Sequence, residues 1–147
     1  MDISEILNSV KNGKISVNEA KKHLSLYSIE EIENFAKIDL GREIRKGIPE
    51  VIFAERKENS EVKKIIKNVL KKTNSIVVSR IPKKNFQDIC KYCKKNNFKL
   101  STGQNCTTII VYKKSLKKTK GKIGIITAGT SDIGVAEESR LMCESMN

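Results

Sequence analysis

The sequence predicts an α/β protein, and three features of its 147 residues support this fold class. Amphipathic patterns typical of short helices open the chain. Strand and helix patterns then alternate from Val51 to Tyr112, which predicts a small α/β domain. Near the end, the apolar run Lys122–Thr127 leads into a Gly-Thr-Ser-Asp turn and a helix-compatible stretch. This order is typical of a buried parallel strand that feeds a helix.

Residues 1–36 are predicted to form short helices. Apolar residues recur at helical spacing over residues 3–10. The capping-box pattern Ser16–Glu19 predicts a second helix that ends at Leu24 or Leu26. A similar pattern at Ser28–Glu31 predicts a third helix that ends near Ala36.

Residues 37–112 are predicted to form the small α/β domain. Its strands are rich in β-branched residues, and its helices carry apolar residues on one face. The predicted elements are the strand Val51–Phe53, the helix Ser60–Lys71, the strand Ser75–Ser79, the helix Asn85–Asn96, an edge strand at Phe98–Ser101 and the strand Thr107–Tyr112. Residues 113–122 are rich in Lys, Ser, Thr and Gly and are predicted to be a linker.

Two arginines and a glutamate flank a predicted tight turn at Lys46–Pro49. Arg42 and Arg45 precede the turn, and Glu50 follows it. Guanidinium groups bind phosphate or carboxylate through paired hydrogen bonds, so this stretch is a candidate substrate site. An ion-pair network between the arginines and Glu50 explains the pattern equally well. The sequence leaves both interpretations open.

The turn Gly129, Thr130, Ser131 and Asp132 is the candidate phosphate site. Glycine lets the backbone approach a ligand closely, hydroxyl groups supply hydrogen bonds, and a helix N-terminus attracts an anion. Asp132 can accept a hydrogen bond from a ribose hydroxyl. The alternative is that these residues only cap the following helix.

The net charge of +12 raises the question of nucleic-acid binding. Most of the basic residues are lysines, whereas base recognition favours arginine. Aromatic residues make up 5% of the chain and form no interleaved stacking pattern. We therefore expect a solvated lysine-rich surface or an anionic ligand. A basic nucleic-acid-binding module is kept as an alternative function.

Cys90 and Cys93 have the spacing of metal ligands, but neither a second pair nor a nearby histidine completes a zinc site. They fall inside a helical pattern, where buried thiols fill the core. No metal site is predicted, and reduced thiols agree with a cytoplasmic protein. No apolar run approaches the roughly 20 residues that span a membrane, and residues 1–10 do not have the pattern of a signal peptide.

Two of these stretches together resemble one family. Residues 42–52 are similar to its RxxRxGxPEVI segment, and residues 128–138 are similar to its AGTSDxPVAEE segment. The family is LarB, the synthase that acts first in assembling the nickel-pincer nucleotide cofactor. Its C-terminal half is similar to PurE, the aminoimidazole ribonucleotide carboxylase/mutase. The resemblance covers essentially the whole chain.

The resemblance implies a chemistry that the residues alone do not show. LarB carboxylates the pyridinium ring of nicotinic acid adenine dinucleotide and hydrolyses its phosphoanhydride, so that AMP leaves. By resemblance, Ser131 and Asp132 contact the phosphate and ribose of the nucleotide, and Gly129 and Thr130 shape the turn.

The family pattern implies further contacts and partners. Its weaker candidates for substrate contacts are Arg42, Arg45, Glu50 and Lys57. The expected partner is the adenine dinucleotide, with a divalent metal such as Mg²⁺ on its phosphates, and the full-length protein is expected to form a homo-oligomer. The catalytic residues are unknown, because the family's nucleophilic cysteine lies beyond Asn147.

Two departures from the family pattern bear on function. Gly134 stands where the family usually has Pro, so the helix start loses pre-organisation. Residues 123–147 would supply only the start of the PurE-like three-layer parallel-sheet domain, and we expect the chain to be inactive as this fragment. A PurE-type carboxylase/mutase of purine biosynthesis is the alternative enzyme, although the N-terminal α/β region argues against it.

Overall fold

The computed structural model describes residues 3–25, 29–32, 36–39, 41–42, 48–116 and 120–146. The chain divides into two compact units, residues 1–50 and 51–147. The described residues form five α-helices and two β-sheets, which confirms the α/β fold class. No helix in this part of the chain is long and apolar enough to cross a membrane.

The first unit contains two short helices and a β-hairpin. Helices α1 (Ile3–Lys11) and α2 (Val17–Leu24) pack against each other. The capping box that opens α2 is confirmed: the backbone N–H of Glu19 donates to Ser16 Oγ at 3.2 Å, and the N–H of Ser16 donates to Glu19 Oε2 at 2.8 Å. Each bond satisfies a backbone donor that a helix start leaves without a partner.

The predicted helix from Ser28 to Ala36 is wrong. Strands β1 (Ile29–Ile32) and β2 (Ala36–Asp39) pair antiparallel there, with Ile29 opposite Asp39. A capping-box pattern indicates only that a few neighbouring residues favour the start of a helix. The hairpin satisfies the same backbone groups with a second strand, and isoleucine favours strands. The nonlocal pairing therefore overrides the local signal.

The second unit is built on a four-stranded sheet with the order β3-β4-β6-β5. Strands β3 and β4 are parallel, and the other neighbours are antiparallel. The bounds agree with the predicted ones to within two residues: β3 Val51–Phe53, α3 Asn59–Lys72, β4 Ser75–Ser79, α4 Lys83–Lys95, β5 Lys99–Thr102 and β6 Ile109–Tyr112. A last helix, α5 (Ile133–Ser145), follows the Gly-Thr-Ser-Asp turn.

Helix α5 packs on one face of this sheet. Val77 of β4 and Ile110 of β6 are register partners, and they form a buried cluster with Leu141 of α5. Because side chains alternate along a strand, the buried neighbours Ile76 and Val111 face the other side, where α3 and α4 supply apolar residues. The sheet is therefore covered on both faces.

The predicted strand at Lys122–Thr127 is wrong for the described structure. This segment pairs with no strand among the described residues, and Ile123, Ile125 and Ile126 are 69%, 40% and 96% exposed. A strand forms only where a neighbour satisfies its backbone donors and acceptors. The apolar pattern of residues 122–127 carries no information about whether a partner strand is present.

The first residues of the predicted linker are bonded to the short loop between α3 and β4. The N–H groups of Lys113 and Lys114 donate to the backbone and side-chain oxygens of Asn74, at 3.0 and 2.9 Å. Residues 117–119 lie outside the described part. The division of the chain at residues 36, 112 and 122 stays a prediction.

Candidate functional site

The turn predicted to bind phosphate is open to solvent. Thr130–Asp132 form one turn of 3₁₀-helix that leads directly into α5, and the N–H of Asp132 donates to the carbonyl of Gly129 at 3.1 Å. Thr130, Ser131 and Asp132 are exposed, and Gly129 is half-buried. The geometry therefore leaves the hydroxyls and the carboxylate accessible to a ligand.

Asp132 occupies the N-cap position of α5, but its side chain makes no capping hydrogen bond among the described residues. Instead, Ser131 Oγ lies 3.4 Å from Asp132 Oδ1, at the long end of hydrogen-bond distance. The alternative in which Asp132 serves only as a helix cap is therefore not what the structure shows.

Gly129 leaves room for these two side chains. A Cβ atom at this position would lie 3.3 Å from both Asp132 Oδ2 and Ser131 Oγ. A larger residue at position 129 would crowd the side chains of Ser131 and Asp132, which would have to shift slightly.

A buried polar contact on α5 holds the turn against the sheet. Ser79 at the end of β4 and Thr108 just before β6 are almost fully buried, and both hydroxyls donate to Glu138 Oε1. Thr108 Oγ1 also lies 3.1 Å from Ser79 Oγ. Because buried hydroxyls need partners, Glu138 satisfies two of them with one carboxylate oxygen. The family resemblance included Glu138, but its structural role depends on residues that are distant in sequence.

A second polar contact joins α5 to β5, the edge strand beside β6. Arg140 bonds Glu137 and Glu144 on its own helix and donates to the carbonyl of Thr102 at 3.2 Å. Glu137 also accepts from the N–H of Gln104 at 3.1 Å. The hydrogen bonds from Arg140 hold the pKa of Glu137 below its ordinary value. Glu137 and Glu138, the two glutamates of the AGTSDxPVAEE-like segment, therefore both attach α5 to the sheet and its loops.

Gly134 lies where the start of α5 meets a loop. A Cβ at Gly134 would come within 2.5 Å of the carbonyl oxygen of Asn105, which precedes β6. Any side chain, including the ring of proline, would displace that backbone. The departure from the family's Pro therefore has a steric reason in this structure.

The arginine and glutamate candidates of the first unit form an ion pair. Arg42 Nη1 lies 3.5 Å from Glu50 Oε2, and Arg42 is 44% exposed. This is the ion-pair interpretation that the sequence left open. Arg45 lies outside the described residues. A role for these residues in substrate contact stays a prediction.

Lys57 belongs to the second unit and follows the turn after β3. Its backbone N–H donates to the carbonyl of Ala54 at 3.1 Å, and its side chain is half-buried. Lys57 is therefore held near the carboxyl end of β3, and its contact with substrate stays a prediction.

Cys90 and Cys93 lie on the buried face of α4. Burial raises the pKa of both thiols, that of Cys93 to about 12. A thiol with so high a pKa is a poor nucleophile at neutral pH. In the described part of the chain, no three His, Cys, Asp or Glu side chains form a group that could hold a metal ion. Both cysteines are core residues in this structure.

Comparisons with known proteins agree with the sequence patterns. Residues 29–113 match the family model described as LarB/PurE-like N-terminal domain. An uncharacterized protein of Methanocaldococcus jannaschii is 35% identical over 148 residues, an alignment that covers 99% of this chain and 57% of that protein. The chain therefore spans a little more than half the length of this relative. The family match includes Arg42, Glu50 and Lys57, whereas the turn at 129–132 is covered by the relative alone.

Proposed function

Because the chain belongs to the LarB/PurE-like N-terminal domain family, we propose that it is part of a LarB-like enzyme. Membership in this family indicates carboxylase or mutase chemistry related to that of PurE. The proposed reaction carboxylates the pyridinium ring of nicotinic acid adenine dinucleotide and hydrolyses its phosphoanhydride, which releases AMP. This chain supplies part of the nucleotide site.

The observation that carries the proposal is the open turn at the start of α5. Its Ser131 and Asp132 are exposed, and the Asp132 side chain is not used to cap the helix. The N-terminal end of a helix carries partial positive charge and free backbone N–H groups, both of which favour a phosphate. In the proposal, Ser131 bonds the phosphate and Asp132 accepts from the ribose hydroxyls. Gly129 and Thr130 hold the turn in shape.

Two further partners belong to the proposal. A divalent cation such as Mg²⁺ would neutralise the phosphates, and Asp132 is the only carboxylate that residues 129–132 offer to it. The complete protein is proposed to assemble as a homo-oligomer.

The match to the N-terminal domain favours the LarB-like enzyme over a PurE-type carboxylase/mutase of purine biosynthesis. The matched residues 29–113 lie before the PurE-like segment. A PurE-type enzyme has no need of such an extension. The two functions also differ in substrate, since only the LarB-like reaction uses a dinucleotide.

The test is dinucleotide binding by the full chain and its Asp132→Ala variant. Loss of the hydrogen bonds that the Asp132 carboxylate accepts from the ribose should weaken binding of nicotinic acid adenine dinucleotide about 10- to 100-fold in calorimetry. The thermal midpoint should stay unchanged, because Asp132 is exposed and does not cap α5.

Glu144→Ala is the matched control, since it removes an equal charge at the other end of α5. It should leave dinucleotide binding unchanged. Equal affinity in wild type and Asp132→Ala would remove Asp132 from the site. Binding of aminoimidazole ribonucleotide in place of the dinucleotide would favour the PurE-type enzyme.

A further inference from the structure

The carboxyl edge of the parallel strands β3 and β4 brings distant parts of the second unit together. Phe53 of β3 is the register partner of Ser79 of β4, so both strands end at this edge. Strand β6 runs antiparallel to β4 and begins here, with Ile109 opposite Val78. The loop before β6, which contains Asn105, therefore lies at the same edge.

The start of α5 is held at this edge as well. Gly134 lies against the carbonyl of Asn105, where a Cβ would come within 2.5 Å. Glu138, one turn further along α5, bonds Ser79 at the end of β4. The turn at 129–132 leads directly into this part of the helix, so it lies at the same edge as the loop before β6 and the end of β4. Open α/β sheets bind ligands at such an edge.

Arg80 is presented at this edge by an uncommon backbone conformation. It follows β4 directly and has a φ of +55°, in the left-handed region that residues other than glycine rarely adopt. The backbone on both sides is fixed, since the N–H of Ala54 donates to Ser79 at 2.8 Å and the N–H of Ile81 donates to Thr107 at 2.9 Å. The side chain therefore leaves the sheet in a defined direction.

Three side chains form an exposed group at this edge. The Arg80 guanidinium lies over the ring of Phe53, 5.4 Å from its centroid, and Phe53 is 57% exposed. Glu55 Oε2 lies 3.7 Å from Arg80 Nη1, and both side chains are at least 60% exposed. An ion pair this exposed contributes little stability, so a ligand can replace it.

These groups complement a planar ring that carries both charges. A guanidinium binds a carboxylate through two parallel hydrogen bonds. An exposed phenyl ring offers apolar surface on which a flat ring can stack. The Glu55 carboxylate, placed beside them, attracts a cationic ring nitrogen.

We propose that Arg80, Phe53 and Glu55, called here the edge triad, bind a cationic aromatic ring bearing a carboxylate, while the turn at 129–132 binds the phosphate of the same molecule. This inference rests on the proposed function. It assigns the ring to residues that lie about 50 to 75 positions before the phosphate turn in the sequence.

The experiment compares two probes that differ only at the ring substituent. Nicotinic acid adenine dinucleotide carries a carboxylate there, and nicotinamide adenine dinucleotide carries a neutral amide. Because the guanidinium bonds a carboxylate more strongly than a neutral amide, the full chain should bind the acid about tenfold more tightly than the amide, a difference of about 1.4 kcal/mol.

Arg80→Gln should remove this preference by weakening binding of the acid while leaving that of the amide unchanged. Phe53→Ala should weaken both probes by a similar factor, because both rings stack. Lys95→Gln is the control: it removes one positive charge from an exposed position at the last turn of α4, just before β5 begins at the opposite edge. It should change neither affinity by more than about twofold.

Two results would overturn the edge triad. If Arg80→Gln retains the preference for the acid, the carboxylate binds elsewhere. If it weakens both probes equally, Arg80 acts on the phosphates and not on the ring. In both cases dinucleotide binding by the wild type persists and the proposed function stands. A wild-type chain that binds neither probe would refute the proposed function and the edge triad with it.

Discussion

Glu138 illustrates what a single residue contributes to this fold. Its carboxylate accepts hydrogen bonds from the buried hydroxyls of Ser79, at the end of β4, and Thr108, just before β6. These hydroxyls have left water, so an acceptor inside the protein must replace it. Glu138 thereby holds the start of α5, and the turn before it, against the sheet.

Glu138→Ala should lower the free energy of unfolding by about 1–3 kcal/mol, because two buried hydroxyls lose their acceptor. Urea unfolding followed by circular dichroism measures the change. Glu138→Gln should lose less, since its amide oxygen can still accept. An alanine variant as stable as wild type would show that the hydroxyls satisfy each other.

Residue patterns predicted the turn at 129–132 but not the edge triad. Gly-Thr-Ser-Asp is contiguous, and each residue type has a known use at a helix start. Arg80 directly follows a predicted strand, yet nothing in its sequence neighbourhood reveals that its guanidinium lies 5.4 Å from the centroid of the Phe53 ring. Residues that meet through strand pairing leave no local signal.

At the scale of elements, α5 is defined by how closely it approaches the loop before β6. A Cβ at Gly134 would lie 2.5 Å from the backbone carbonyl oxygen of Asn105. The family resemblance marked Gly134 as a loss of pre-organisation. The structure shows that a proline there would clash with the loop.

Gly134→Ala should therefore lower the free energy of unfolding, the opposite of the usual effect of this substitution in a helix. In an exposed helix interior, replacing glycine by alanine stabilises by up to about 1 kcal/mol. Here we expect destabilisation by about 1–3 kcal/mol, because the methyl group displaces backbone and not a flexible side chain.

Gly124→Ala is the matched control, since a Cβ there meets no atom within 4 Å. It should change urea unfolding by no more than about 0.5 kcal/mol. Equal or greater stability of Gly134→Ala would mean that α5 can move away from the loop at no cost.

The two errors in element assignment have a common cause. Residues 28–36 carry a capping pattern, yet Ile29–Ile32 pairs with Ala36–Asp39. The run at 122–127 carries a strand pattern, yet it pairs with no strand among the described residues. Strands depend on a partner, whereas α3 and α4 satisfy their backbone internally and were found to within two residues.

At the scale of the whole molecule, hydrogen-bonded carboxylates on several elements make stability depend on pH. Hydrogen bonds from Ser16, Lys63 and Arg140 lower the pKa values of Glu19, Asp88 and Glu137 respectively. A carboxyl group whose pKa is lower in the folded state stabilises the fold above its unfolded pKa. That contribution is lost as the pH falls through the lowered value.

We therefore expect the thermal midpoint to be constant from pH 7 to about pH 5 and to fall below the ordinary carboxyl pKa values near 4. The net charge of +12 adds to this, because protonation of carboxylates increases self-repulsion. Calorimetry at pH 7, 5, 4 and 3 measures the effect.

Glu137→Gln is the informative variant, since it removes one of the three carboxyl groups whose pKa is lowered. Its thermal midpoint should fall less steeply between pH 5 and pH 3 than that of the wild type. Repeating the pH series at about 0.5 M salt should reduce the share of the fall in thermal midpoint that is due to repulsion between positive charges. A midpoint that stays constant to pH 3 would show that these hydrogen bonds contribute nothing in solution.

The sequence by itself determined the α/β class, the positions of α3, α4 and the four strands of the main sheet, and the candidate turn. These features depend on periodicity and local residue preference. Only the tertiary structure decided that residues 29–39 form a hairpin, that α5 covers the sheet, and that Arg80 and the turn share one edge. Each of these depends on contacts between residues far apart in the chain. A short stretch of sequence does not show which distant residues it will contact, so it does not show the free energy that those contacts supply.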